Sequence, residues 1–363
     1  MRRLGTAVLS TLLLCACGRG DSGASAGGEA APAKATAKID ATCQEPAPEV
    51  REALETAAVE TFERLRAGQL DALWSSIHPQ ARQEGQREAF TSALASMQRR
   101  LGSGADAPSV TSVHFVDISG GASALARVRC EGDEGEGLTL ITNAGDEDVA
   151  VVVLRSAGTP FSYATTVQLR RHGKTWKVLG VHVGLDTYRG RDAADYERLA
   201  DAYVKQQRTV EAYLVLTLAE QLANRGGSLK LDRALSVADK LRAVADSREY
   251  QQQLGVWDVG GRDYDIEGFS VTATQSDLSA VVRYVTPTGL IQEALDQEAD
   301  ALLAHLQMQH PEIGKRFDAV VFEAYDSTAA AAKPGSEVQA FRTPRVFPEQ
   351  VAEPVPGKTS RPG

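Results

Sequence analysis

The fold is decided by the run Val167-Gln-Leu-Arg-Arg-His-Gly-Lys-Thr-Trp-Lys-Val-Leu-Gly180. Apolar and polar residues alternate on both sides of His172-Gly173-Lys174, which is the pattern of two half-buried strands. A glycine between two polar residues gives the backbone the freedom that a tight turn requires. The run therefore predicts a β-hairpin, with strands over 163–171 and 175–183.

Upstream of this hairpin the same alternation continues, and before that it gives way to helical spacing. Period-two stretches separated by Gly, Asp and Asn predict four further strands, over 110–118, 123–130, 138–142 and 149–155. Apolar residues three and four apart predict three helices, over 49–68, 70–77 and 84–101. Residues 45–186 are thus expected to form one α+β domain, in which helices precede an antiparallel sheet.

A second segment adds a family resemblance to this pattern. Phe62-Glu-Arg-Leu-Arg-Ala-Gly-Gln-Leu-Asp-Ala-Leu-Trp74 reads as a helix, a tight turn and a second helix. Together with the closing hairpin, it resembles the nuclear transport factor two-like superfamily, which includes SnoaL-like proteins. The resemblance covers residues 45–186 and implies a cone-shaped domain of helices and a curved antiparallel sheet, with a pocket between them. It implies no single activity, because members include isomerases, dehydratases, cyclases and non-catalytic modules.

The second half of the chain is predicted to contain three more parts. Helical periodicity returns after Asp192 and predicts a helical connector over 187–250. Strands over 267–274 and 280–286, a helix over 288–309 and a strand over 317–325 predict a small ββαβ unit within 254–326. Residues 327–363 are rich in Pro and Ala, which favours an extended or disordered tail.

The amino terminus has the features of an export signal. Arg2 and Arg3 precede a short apolar run over 4–14, which is too short to span a bilayer as a mature helix. Residues 1–16 are therefore predicted to be a cleaved signal peptide.

The end of this segment, Leu14-Cys15-Ala16-Cys17, resembles the lipobox of bacterial lipoproteins. That resemblance implies cleavage before Cys17 and acylation of this cysteine, which would anchor the protein to a membrane. By the same resemblance, Gly18 after the cysteine favours the outer membrane, with the body facing the periplasm. An ordinary signal peptide cut nearby is the alternative.

Residues 17–44 follow as a flexible tether, because their small and polar composition cannot bury enough surface to fold. Two cysteines then remain for the exported body, Cys43 and Cys130. An even pair in an oxidising compartment favours a disulfide, which would close a loop of roughly 90 residues and stabilise the fold by about 3–4 kcal/mol. Two separate buried thiols are the alternative.

Composition excludes several classes of protein. Of the 363 residues, 43% are hydrophobic and 24% are charged, which is ordinary for a globular protein. A net charge of −9 argues against a general nucleic-acid binder. The sequence contains no nucleotide-binding GxxxxGK[ST] run, no HExxH and no CxxC pair. Neither a cofactor nor a metal ion is therefore predicted.

The strongest candidate for catalysis in the cone-shaped domain is His182. Strict alternation on the last strand puts four residues on one face: Trp176, Val178, Gly180 and His182. If His114 on the first strand points inward as well, an imidazole could act as a base beside Asp117 or Asp186. The alternative is that each histidine is merely a buried or exposed residue of its strand, so His182 is a weak candidate.

Three hypotheses about function follow. The first is a lipid-anchored envelope protein that binds an envelope protein or a small ligand without catalysis. The second is a pocket enzyme of the isomerase or dehydratase type that uses the cavity of the cone. The third is a structural module that forms a homodimer.

Overall fold

The computed structural model of the protein describes residues 40–82, 86–102, 106–119, 125–131, 137–143, 147–274, 276–326 and 340–347. Over these ranges the fold is mixed α+β, with nine α-helices and three mostly antiparallel sheets, none of them closed. The predicted α+β class is confirmed. None of the described helices combines the length and the apolar composition that a membrane span needs. The predicted leader and Cys17 lie outside the described residues.

The first three helices lie close to their predicted positions: α1 Pro48–Arg66, α2 Leu70–Ser76 and α3 Arg87–Leu101. Proline starts α1, where its missing N–H leaves no intrahelical bond unmade. Gly68 turns the chain between α1 and α2 with a φ of +69°, a conformation that residues with a Cβ adopt only with strain. The short α1–α2 connection therefore depends on this glycine.

Seven strands are found up to Tyr188, in chain order β1 Asp40–Gln44, β2 Ser109–Ser119, β3 Leu125–Glu131, β4 Gly137–Asn143, β5 Val149–Ser156, β6 Phe161–His172 and β7 Thr175–Tyr188. Five of them form one antiparallel sheet in the order β1-β2-β5-β6-β7. β1 lies in the region 17–44 that the sequence assigned to the tether, so the folded body begins earlier than predicted.

The β3–β4 hairpin does not join this sheet, contrary to the expected single curved sheet. It pairs with β8 (Leu229–Leu231), a strand from the predicted connector, in the order β3-β4-β8. The three-stranded sheet packs on one face of the five-stranded sheet, and α1 to α3 pack on the other. The domain is therefore built of three layers over the described residues.

The reason for the second covering layer lies in β5. Its residues from Val149 to Leu154 are all buried. Ala150 and Val152 face the helices, whereas Val151 and Val153 face the three-stranded sheet. A strand that is apolar on both faces must be covered on both faces.

A β-bulge in β7 changes the face to which its side chains point. The register with β6 skips one residue between Val178 and Gly180, which leaves Leu179 as an extra residue. Such a bulge shifts the alternation by one position. Val178 is buried beneath the helices, whereas His182 lies on the opposite face of the sheet. The prediction that His182 shares a face with Trp176 and Val178 was wrong for this reason.

The predicted helical connector is a buried part of the core. It contains α4 Ala193–Lys205, α5 Thr209–Ala223, α6 Asp232–Ala245 and α7 Arg248–Gln251. Ten of the fifteen residues of α5 are buried, and an all-round apolar helix of this kind belongs inside a protein. α5 contacts β7 on one side and the C-terminal sheet on the other.

The C-terminal sheet contains the predicted ββαβ unit and two strands more. Its elements are β9 Gly255–Val259, β10 Arg262–Ala273, β11 Leu278–Val285, α8 Gln292–Gln309, α9 Ile313–Arg316, β12 Ala319–Tyr325 and β13 Ala340–Val346. The strand order is β13-β12-β11-β10-β9, and only β11 and β12 are parallel. β13 lies in the region 327–363 that was predicted to be a mostly extended or disordered tail; residues 340–346 are extended but pair with β12, which was not predicted.

The two halves share one continuous apolar core, which runs from Leu54 in α1 through α5 to Phe322 in β12. A polar contact reinforces the junction: Asp318 accepts a hydrogen bond of 2.9 Å from the Tyr188 hydroxyl and pairs with Arg189. The same carboxylate accepts the backbone N–H of Leu278 at 2.8 Å. The end of β7 is thereby joined to the start of β11.

We expect Leu216→Ala in α5 to reduce the free energy of unfolding by about 2–5 kcal/mol, because it removes a fully buried side chain from this shared core. Denaturant titration would measure the loss. Hydrogen exchange should show reduced protection in β6 and β11 together.

Val204→Ala, at a side chain that is 45% exposed on α4, is the matched control and should change stability by about 0.5 kcal/mol or less. Loss of protection in only one of the two sheets after Leu216→Ala would contradict a shared core.

Candidate functional site

The space between the helices and the five-stranded sheet, where the resemblance places a pocket, is filled with apolar side chains. Leu54, Phe62 and Leu65 of α1 are fully buried there against Val152 and Val167 of the sheet. The first of the two clefts described below opens on the opposite side of the sheet, and the second also reaches Arg51 of α1 and Val113. In the described residues the helix-facing side is therefore a packed core.

His182 does not face that interior. It lies on the other side of the sheet, where its side chain packs against Gly184 and Gly226. Its Nε2 is buried and has no hydrogen-bond partner among the described residues. Burial, followed by the positive charges of Arg100 and Arg225, lowers the pKa of His182 to about 4. The imidazole is therefore neutral and enclosed at neutral pH.

The second candidate histidine, His114, lies on the same face as His182 but far from it. His182 pairs with Thr166 on β6, and β6, β5 and β2 follow in order across the sheet. Three strand spacings separate β7 from β2, which is about 14 Å. Asp117 is exposed on β2, next to the edge strand β1. The expected group of His182, His114 and a carboxylate is therefore not assembled.

An open cleft lies instead between the two sheets. It has a volume of about 180 Å³. Its polar walls carry Ser112, His114, Arg155, Asp186 and Arg225, and its apolar walls come from both sheets. Because the small sheet was not predicted to separate from the main one, sequence reasoning could not locate this cleft.

Asp186 is the charged centre of this inter-sheet cleft. It occupies a bulge of β7, since the register passes from Leu185 directly to Thr187. Its carboxylate is buried and pairs with Arg225 at 2.6 Å and with Arg155 at 2.6 Å. Two guanidinium groups around one carboxylate leave a net positive charge at the mouth of the cleft. Arg155 is the accessible member, with 54% of its side chain exposed.

His114 lines the same cleft, where its Nε2 contacts a hydroxyl group. This nitrogen lies 3.1 Å from the hydroxyl oxygen of Ser112, two residues earlier on the strand. A serine and a histidine in contact could in principle form a nucleophile and a base. No pair of backbone N–H groups directed at a reacting oxygen accompanies them among the hydrogen bonds described for this cleft. We therefore treat Ser112 and His114 as polar lining of the cleft.

A second cleft, of about 380 Å³, adjoins the first and shares its lining at Thr111, Ser112 and His114. Cys43 and Cys130 line this cleft and are joined by a disulfide. This bond connects β1, at the edge of the five-stranded sheet, with β3, at the edge of the small sheet. The disulfide therefore holds together the two layers that form both clefts.

Two other polar clusters were not anticipated from the sequence. Glu298 is buried on α8 and accepts hydrogen bonds from the hydroxyls of Tyr284 and Thr286 at 2.9 and 3.0 Å. Burial, followed by the charge of Glu298, raises the pKa of Tyr284 well above its usual range. The second cluster joins His78, Glu147 and His172. Glu147 lies about 70 residues after His78, and His172 lies about 25 residues after Glu147, so no local sequence motif could reveal this cluster.

Comparison with known protein families, with curated proteins and with solved structures finds no match to this chain.

We expect His182 to titrate near pH 4 in the folded protein. The unfolded chain, with a pKa of about 6.5 for this histidine, binds the proton first, so stability should fall as the pH drops from about 6.5 to 4. The slope contributed by one such group is at most about 1.4 kcal/mol per pH unit. His182→Gln should reduce that slope without changing the fold.

Histidine NMR titration would measure the pKa, and denaturant titrations at pH 7 and 5 would measure the slope for both proteins. A His182 pKa near 6.5, or equal slopes in wild type and variant, would contradict the enclosed, neutral imidazole described above.

Proposed function

We propose that this protein is a lipid-anchored component of a bacterial cell envelope and acts as a non-catalytic binding module. The leader is the observation that carries the location: Arg2 and Arg3, a short apolar run, and the tetrad that ends at Cys17. A disulfide between Cys43 and Cys130 fits an oxidising compartment outside the cytoplasm. Acylation of Cys17 would place the body at the outer membrane, facing the periplasm.

We also propose that residues 45–186 are related to the nuclear transport factor two-like, cone-shaped domains. Support comes from the order of elements, with α1 to α3 before an antiparallel sheet that ends in the β6–β7 hairpin. Two features depart from that resemblance. The β3–β4 hairpin forms a separate sheet with β8, and the helix-facing interior is filled.

The inter-sheet cleft is the proposed binding site. Its net positive charge and the half-exposed guanidinium of Arg155 suit a small ligand with a carboxylate or another anionic group. The apolar walls, which include Leu138 and Leu229, would contact the rest of the ligand. Both arginines pair with Asp186, but Arg155 is 54% exposed and Arg225 only 12%, so Arg155 is the residue best placed to meet the anionic group.

The observations weigh against a pocket enzyme in the cavity of the cone. The space that such an enzyme would use is packed, and His182 is enclosed and neutral. The edge strand β13 carries Pro344 and two arginines, which hinder the pairing of strand edges. We therefore place the binding module ahead of both alternatives.

We expect cells that express the wild-type protein to incorporate a radioactive or clickable fatty acid into it, and Cys17→Ser to abolish that labelling. The reason is that the acyl chains are attached to this cysteine. The wild-type protein should sediment with membranes, and the variant should not. Equal labelling of both proteins would refute the anchor. Cys15→Ser, which keeps Cys17, is the control and should retain the label.

We expect a photo-crosslinking residue at Thr111, an exposed position that lines both clefts, to trap a small molecule in intact cells. Intact-mass spectrometry should show an adduct of defined mass. Arg155→Ala should reduce its yield at least severalfold, because it removes the accessible cation.

Arg171→Ala is the matched control, since its side chain is 56% exposed and pairs with Asp148 outside the cleft. The same crosslinker at Glu249, which is exposed on α7, controls for non-specific capture. Equal adducts at Thr111 and Glu249, or equal effects of the two arginine variants, would refute the proposed site.

A further inference from the structure

Three separate segments bring metal-binding side chains together at one end of the five-stranded sheet. His78 follows α2, and its backbone N–H donates to the Val178 carbonyl on β7 at 2.7 Å. His172 is the last residue of β6, at the turn of the closing hairpin. Glu147 lies two residues before β5, close to that end of β6.

The distances within this cluster are short. Nε2 of His78 lies 3.0 Å from one carboxylate oxygen of Glu147, and Nδ1 of His172 lies 3.6 Å from the other. The two imidazole rings meet edge to face with centroids 5.2 Å apart. All three ligand atoms lie within 4.8 Å of one another. In a tetrahedral zinc site with bonds of about 2.0–2.1 Å, ligand atoms are about 3.3 Å apart, so small side-chain rotations would complete the site.

We propose that His78, Glu147 and His172 bind one divalent transition-metal ion, with Zn²⁺ as the best fit, and that a water molecule completes the coordination. Two imidazoles and one carboxylate suit zinc, copper or nickel and do not suit Mg²⁺ or Ca²⁺, which prefer oxygen ligands. The fourth position would face solvent, because Glu147 and His172 are 36% and 51% exposed.

The two exposed ligands can move, whereas His78 is fixed. Its side chain is 6% exposed, and its Nδ1 accepts the backbone N–H of Gln80 at 3.2 Å. The ring proton therefore lies on Nε2 and is directed at Glu147. Burial lowers the pKa of His78, although Glu147 opposes this effect.

Metal binding at Nε2 would move that proton to Nδ1 and break the hydrogen bond from Gln80. The cost is small, because Gln80 is exposed and its N–H can donate to water instead. Arg170, which is buried nearby and bonded to Gln80, adds an opposing positive charge. We therefore expect micromolar affinity instead of the far tighter binding of structural zinc sites.

The bound ion would connect the turn after α2, the start of β5 and the tip of the β6–β7 hairpin. Any ligand that binds only the folded state stabilises it by mass action. At a zinc concentration about 100 times the dissociation constant, the gain would be about 2.7 kcal/mol.

The test is a calorimetric titration of the untagged full mature chain with ZnCl₂ at pH 7. We expect one ion per chain, and at least about tenfold weaker binding for Glu147→Gln and for His172→Ala. Both side chains are partly exposed, so these variants should fold, which circular dichroism would verify. Asp148→Asn is the matched control, because it removes the same charge from the neighbouring residue without removing a ligand, and it should retain the wild-type affinity.

Zinc should also move the NMR signal of the Gln80 amide, because its hydrogen bond to His78 is lost, and this change should be absent in His172→Ala. The proposal is overturned if the wild-type protein binds no zinc at millimolar concentration. It is also overturned if Glu147→Gln and His172→Ala bind as tightly as wild type, or if Asp148→Asn weakens binding as much as they do.

Discussion

The burial of β5 on both faces is the constraint on which the rest of the N-terminal structure depends. The helices cover Val152, and Val151 on the opposite face needs a second covering layer. The chain meets the second requirement by folding the β3–β4 hairpin over the sheet and by adding β8 from a later segment. The three-stranded sheet is narrower than the five-stranded sheet that it covers. Polar residues of the two sheets are therefore left at the margins of the contact, where both clefts lie.

The sequence predicts the local elements well. Helices α1 to α3 and strands β2 to β7 follow periodicities that depend only on neighbouring residues, and each lies within a few residues of its predicted range. The sequence does not predict equally well which strands pair or pack with one another. The continuous apolar run of β5 indicates burial on both faces, but it does not say that Leu229, about 75 residues further along, belongs to the covering layer. Such pairing is a long-range property that local patterns do not contain.

Single residues of the candidate site show the same limit of prediction from local sequence patterns. One extra residue at Leu179 reverses the face of His182, and another at Asp186 places a carboxylate between two arginines. Gly180 lies directly after the first bulge, but strict alternation takes no account of an inserted residue and therefore places His182 on the wrong face. The cysteine pair could be anticipated because only two cysteines remain after the predicted leader and anchor are removed. The cluster of His78, Glu147 and His172 could not, since three distant segments supply it.

The disulfide also has a mechanical consequence. The described chain begins at Asp40 on β1, an edge strand held to β2 by one ladder of hydrogen bonds. If Cys17 is acylated, any pull between membrane and body acts through this strand and would unzip that ladder one bond at a time. The bond from Cys43 to Cys130 passes the load to β3 after the first few residues. A force that would otherwise peel off a single strand is then shared between two sheets.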